Sequence, residues 1–437
     1  MSEEARVRLW GRTIGAVLLE DGEETAVFQY TPEFAASGIQ VSPLAMPLRD
    51  APYSFPALSY ETFKGLPGLL ADSLPDKYGN ALINRWLARQ GRAPESANAV
   101  ERLCHMGIRG MGALEFAPVK GPDPTPDEDI QIAELVELAS AVLSERGDFE
   151  TALPAGDEER GLLEILSVGM SAGGARAKAV IAWNEKTRQV RAGQVDAPPG
   201  FEHWLLKFDG VSAGSDREGL EGPEGYGAIE YAYSGMAAAA GVEMAECRLF
   251  EENGRRHFMT RRFDRPTGNA KLHMQSLGGL QHFDFNLDGA YSYEQALMTI
   301  RSLGLPMQAV EQQFRRMTFN VVARNQDDHV KNIAFLMDRS GSWSLSPAFD
   351  VTYAYNPRRK WTARHQMSLN GKRDGFDLDD FIRCADGASM KRGRGKAILD
   401  EVSEAVAEWP RFASAVGIPD DEIKRIGRAH RLDLAQA

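Results

Sequence analysis

The sequence predicts an α+β chain folded into two kinase-like lobes, the first rich in strands and the second all-α. Two observations carry that expectation. One is a change of pattern: short apolar alternations broken by turn residues run to about Arg265, and helical periodicity takes over after it. The other is an ordered set of polar residues. Asp327 and Asn332 stand five positions apart, and Asp350 follows an apolar, strand-like run beyond them. In a kinase site the first Asp orients the acceptor hydroxyl, and the Asn and second Asp hold Mg²⁺ on the phosphates of ATP.

The elements follow in order. Residues 7–30 alternate apolar and polar around Asp21-Gly22 and read as a β-hairpin. Thr31-Pro32 then reads as a capped helix start. Leu82, Ile83, Trp86 and Leu87 give residues 80–90 a helical period. Gly107 to Phe116 reads as a glycine turn entering a strand. Pro122, Pro124 and Pro126 mark a linker over residues 121–129. A helix is expected over 130–146, a glycine-rich turn over 168–178, and strands near 178–184 and 203–208. A glycine-rich loop (209–227), a helix (228–240) and short strands (246–251, 256–261) complete the front half. Helices are expected over 292–304, 307–325, 377–384 and 394–416. The division that results is 1–120, 130–260 and 261–437.

Composition bounds the function. The chain is 43% hydrophobic and 26% charged over 437 residues, ordinary for a globular protein of several domains. Its formal net charge of −12 argues against direct nucleic-acid binding, which needs a basic face. The basic runs at residues 358–360 and 391–396 read as solvated loops. Cys104, Cys247 and Cys384 are too sparse for a disulfide framework or a metal motif. The start, Met-Ser-Glu-Glu-Ala-Arg, has no apolar signal region, and no apolar stretch reaches membrane length. A cytoplasmic protein without membrane contact is expected.

Phosphoryl transfer needs a phosphate cover, a cation, a metal site and a group orienting the nucleophile. The cover would be Ser171 to Lys178, where Gly173, Gly174 and Ala175 let backbone N–H groups approach an anion. Taken alone, that stretch is also an ordinary turn. The cation would be Lys207, in an apolar strand where an unpaired ammonium is costly to bury. Glu230, on the next helix, is its candidate partner. Residues 259–265, with Arg261 and Phe263, fall where a hinge against adenine belongs. Asp327 is the candidate catalytic base, and Asn332 and Asp350 offer the hard oxygens Mg²⁺ takes. A competing metal-hydrolase reading would use Asp327, Asp328, His329 and Asp350 as ligands, but it leaves Lys207 unused.

At these residues the chain resembles the HipA family, serine/threonine-kinase toxins of type II toxin–antitoxin systems. The resemblance rests on residues 42–48, 72–76 and 107–116 in front. In the core it rests on residues 173–178, Leu206-Lys207, residues 262–265, residues 327–332 and Phe349-Asp350. It implies an extra N-terminal subdomain ahead of a kinase core. It implies ATP and Mg²⁺ as cofactors, Asp327 as base, Asn332 and Asp350 as metal ligands, and Lys207 on the phosphates. Lys178, His329 and Lys331 are placed beside the nucleotide, and Ser171 at the autophosphorylation position, with Ser167 a nearby competitor. The implied partners are a HipB-like helix-turn-helix antitoxin, through which DNA would be contacted indirectly, and an aminoacyl-tRNA synthetase as substrate. The loop reads Asp327-Asp328-His329 where many relatives have Asp-Gly-His, and the added carboxylate is expected to disturb the base or the metal. A small-molecule kinase and an antitoxin-binding corepressor are the competing readings.

Overall fold

The computed structural model describes residues 2–121, 129–143, 158–169, 176–211 and 225–435. Ser171, Gly173, Gly174 and Ala175 lie outside the described residues, as does most of the 121–129 linker and of the 209–227 loop.

Among the described residues, three antiparallel sheets organise the chain. The first has the order β3-β2-β1-β4, from Glu3–Leu9 (β1), Arg12–Leu19 (β2), Val27–Tyr30 (β3) and Leu114–Ala117 (β4). The expected hairpin is thus the core of a meander. Its first turn is Trp10-Gly11, both at positive φ (49° and 80°), as a tight two-residue turn requires. Thr31 caps the short helix Pro32–Ala35 by accepting from the Phe34 amide.

The second sheet, β6-β5-β7-β9-β8, is the front kinase-like lobe. It comprises Lys178–Trp183 (β5), Val190–Ala192 (β6), Glu202–Lys207 (β7), Cys247–Glu252 (β8) and Arg255–Arg261 (β9). Asn253-Gly254, again at positive φ, closes the β8–β9 hairpin. The third sheet, β10-β11-β12, lies inside the helical back lobe: His273–Ser276, Ala334–Met337 and Trp343–Leu345. The expected all-α back lobe therefore carries a small sheet as well, whose strands of three or four residues are too short to show a period.

Among the described residues the apolar core falls into two clusters. One joins the N-terminal subdomain to the front sheet, from Ala5 through Leu135 and Leu166 to Met259. The other fills the back lobe and includes Ala228, Ala232 and Met236 of the helix Tyr226–Ala239. The N-terminal subdomain also grips the back lobe through polar contacts. Asp72 accepts from the Ser276 amide at 2.7 Å and the Ser276 hydroxyl at 2.8 Å. Nearby, Gly68 and Gly279 let two backbones touch, since a Cβ on Gly68 would lie 2.2 Å from the Gly279 carbonyl oxygen. The expected helix over 394–416 is two helices, Arg394–Ala407 and Trp409–Ala415, because Pro410 cannot continue the first ladder.

Candidate active site

Lys207 ends β7 and is buried between the lobes. Its Nζ lies 2.5 Å from Glu230 Oε1 and 2.5 Å from Asp350 Oδ1. Glu230 reaches it because the helix Tyr226–Ala239 lies directly on β9. At Gly227 a Cβ would sit 2.0 Å from the Arg256 carbonyl oxygen, so only glycine permits that approach. Asp209, just past β7, accepts from the Gly225 amide at 3.2 Å and tethers the start of this helix. Burial pushes the Glu230 carboxyl up, and the Lys207 charge opposes that push. Burial also raises Asp350, but the charges of Lys207 and Lys178 and the Lys207 hydrogen bond outweigh it and hold its carboxyl below the ordinary range. Asp350 is therefore an anion at neutral pH. Its φ of 52° is left-handed, a conformation such sites sustain when neighbours fix it, and its main-chain carbonyl accepts from Asn325 Nδ2 at 3.3 Å.

Asp327 and Asn332 sit on one short loop ending in the turn Val330–Asn332. Asn332 Nδ2 donates to the Asp327 main-chain oxygen at 2.8 Å, which is what the five-residue spacing achieves. The Gln326 amide donates to Ala354 O at 3.0 Å, pinning this loop to the segment after Asp350. His329 packs its ring 5.8 Å from that of Phe285, and the Lys331 ammonium stands 4.8 Å over the same ring.

Asp328 does not do what its position suggests. It turns into the core, accepting from Tyr293 Oη at 2.5 Å, His365 Nδ1 at 2.7 Å and the Gln366 amide at 2.7 Å. His365 Nε2 lies 2.9 Å from Arg431 Nη1, which can only donate. The imidazole is thus neutral, with its proton on Nδ1; burial lowers its pKa first, and Asp328 only partly offsets that. The added carboxylate anchors the loop from behind, so the expected disturbance of base or metal does not follow. A metal site using Asp328 is excluded by the same geometry.

The hinge residues divide their roles. Arg261 stands at the cleft wall with its guanidinium paired to Glu202 at 2.9 Å and Glu246 at 3.8 Å. Phe263 packs on Phe349, ring centres 5.6 Å apart. Between them, Arg262 and Arg265 converge on the buried Asp264 at 2.7 and 2.6 Å. The Gly112 amide joins them at 2.7 Å and ties the N-terminal subdomain to the hinge.

The cleft is walled by Leu205, Phe258 and Thr260 above and by Ala348, Phe349 and Val351 below. Met111 of the N-terminal subdomain also lines it, a contribution that a generic apolar residue does not advertise in sequence. The cavity enclosed by these residues is about 60 Å³, smaller than the roughly 300 Å³ of ordinary ligand pockets. The residue chemistry fits a metal–nucleotide. Among the described residues no three His, Cys, Asp or Glu side chains form a metal cluster. One ionised carboxylate, Asp350, and one amide oxygen, Asn332, are the sparse hard set that Mg²⁺ uses when phosphates and water complete its shell. Those two residues would hold it.

The antiparallel front sheet, the strand lysine paired to a helix glutamate and the Asp–Asn loop define a two-lobed kinase-like protein. Residues 170–409 match the HipA-like C-terminal domain and residues 5–117 the HipA N-terminal domain. The chain belongs to the HipA family. Its fold is similar to that of HipA from Shewanella oneidensis MR-1, solved with HipB and operator DNA. The TM-score is 0.69 at 16% identity, over 99% of this chain and 96% of that one. The Helicobacter pylori proinflammatory kinase CtkA aligns more loosely, with a TM-score of 0.35 at 13% identity over 54% of this chain and 89% of that one. The curated proteins give no match. Among the described residues no helix is long and apolar enough to cross a membrane.

Proposed function

We propose that this protein is an ATP- and Mg²⁺-dependent serine/threonine protein kinase acting as a HipA-type toxin. The observation that carries the reading is the Lys207–Glu230–Asp350 cluster together with the Asp327–Asn332 loop, which the neighbouring Asn325 ties to the Asp350 main-chain oxygen. Lys207 would neutralise nucleotide phosphates, and Asn332 and Asp350 would hold the metal on them. Asp327 would orient the acceptor hydroxyl and take its proton. Ser171 is the proposed autophosphorylation site, where two added negative charges would repel a nucleotide from the glycine loop. A small DNA-binding antitoxin of the HipB kind is the proposed partner, and the Shewanella assembly supports it. The acceptor is proposed to be a translation component such as an aminoacyl-tRNA synthetase, on the family resemblance alone.

The test is incubation of the purified chain with Mg²⁺ and γ-labelled ATP beside Asp327→Ala, followed by phosphopeptide mapping. Label on Ser171 in the wild type and none in the variant is expected. Equal label in both would remove Asp327 from catalysis.

A further inference from the structure

Lys178 and Lys207 are directly opposed in the β5–β7 register. Directly opposed residues of an antiparallel pair project from the same face with Cβ atoms about 5 Å apart, and like charges there repel. Both lysines are buried. Each has its own carboxylate. Lys207 has Glu230 from the front lobe, whereas Lys178 has Asp76, 3.6 Å away, from the N-terminal subdomain. Asp76 is held in turn as the N-cap of the helix Lys77–Arg89, its Oδ1 accepting from the Gly79 amide at 2.7 Å. Its Oδ2, the atom facing Lys178, is buried. Lys178 is close enough to Asp350, and Lys331 to Asp76, for their charges to act on one another. The ion pair therefore stands beside Lys207, which lines the cleft.

We infer that Asp76 is a positioning residue of the nucleotide site: it holds Lys178 against Lys207 and aims both ammonium groups at the phosphates. The N-terminal subdomain would then supply a second lysine–carboxylate pair, parallel to Lys207–Glu230. The inference rests on the nucleotide-binding reading above. It makes the site sensitive to how the N-terminal subdomain is seated.

Asp76→Asn separates the charge from the cap, because asparagine caps a helix as well as aspartate. ATP and adenosine affinities of the full chain would be measured by calorimetry for the wild type, Asp76→Asn, Lys178→Met and the double variant. The expected result is a loss of about tenfold for ATP in Asp76→Asn, the low end for residues that orient a binding group. Adenosine affinity should stay unchanged, and the double variant should be no weaker than Lys178→Met. ATP affinity unchanged or tightened, ATP and adenosine weakened alike, or losses that multiply in the double variant would each overturn it. A wild type that binds adenosine but gains nothing from phosphates, or binds neither, would sink the nucleotide reading itself and this inference with it.

Discussion

At the scale of single residues, neighbouring carboxylates in one loop stand in opposite surroundings. Asp327 is half-buried, while Asp328 is buried with three donors on it. Removing a buried, fully bonded carboxylate strands its three donors, so Asp328→Ala should destabilise the fold by several kcal/mol, at about 1–3 kcal/mol for each donor left unpaired. Asp327→Asn should cost less than about 1 kcal/mol while abolishing phosphoryl transfer, since it keeps the shape and loses the base. Urea unfolding of both variants beside a labelled-ATP assay checks the pair, and the reverse ranking in stability would reassign the two residues. This contrast was not readable in the sequence, which offers two adjacent Asp and no sign of which faces the core. The partners of Asp328 lie 35 to 38 positions away. Lys207, Glu230 and Asp350 were readable, because residue type and chain order alone constrain them. Asp76 was not, because nothing local marks it as more than a helix cap.

At the scale of elements, the site depends on how closely the helix Tyr226–Ala239 lies on β9. Gly227→Ala would drive a Cβ into the Arg256 carbonyl oxygen and push the helix, with Glu230, off Lys207. A loss of about 1–3 kcal/mol is expected, as for overpacking elsewhere, together with weakened nucleotide binding. Gly235→Ala in the same helix meets only Phe412 atoms at 3.4 Å or beyond, and should be neutral or stabilise by up to about 1 kcal/mol. Thermal unfolding of the two alanine variants tests this, and equal effects would show that helix propensity rather than contact distance governs. The longer elements were legible by period: the helices Lys77–Arg89, Tyr226–Ala239 and Met307–Val322 fall where apolar spacing puts them. Other elements were missed, among them the helices Ala99–Met106 and Glu158–Val168. Strands β6 and β12 have three residues each, too few for an alternation to register. The helix Asp420–Ala429 keeps only Ile423 and Ile426 in the core, so its apolar signal is thin although its first turn is acidic.

At the scale of the whole molecule, the histidines set an acid limit. His105, His257, His273, His282 and His430 are each drawn down to about 4, with burial the leading cause. His203 and His365 are lowered as well. A histidine whose folded pKa lies below its unfolded value of about 6.5 binds fewer protons folded than unfolded across that interval. Stability therefore rises with pH there, is fully present above about 6.5, and is lost as pH falls toward about 4. His105, His257 and His273 are the most deeply buried of the five. Each should cost on the order of 2 kcal/mol between pH 7 and pH 5, a large share of a marginal fold. Burial dominates rather than any ion pair, so added salt should rescue little of the loss. The expected outcome is a thermal midpoint that drops by more than about 10 °C between pH 7 and pH 5 at constant ionic strength. His273→Asn should flatten the curve, because its Nε2 contact at 2.9 Å to Val41 O needs only a donor, which an amide supplies without titrating. A midpoint unchanged over that interval, in scans followed by circular dichroism, would mean these imidazoles titrate in the folded chain as they do in water. The subdomain contacts built on His273 would then have to be far looser than this packing.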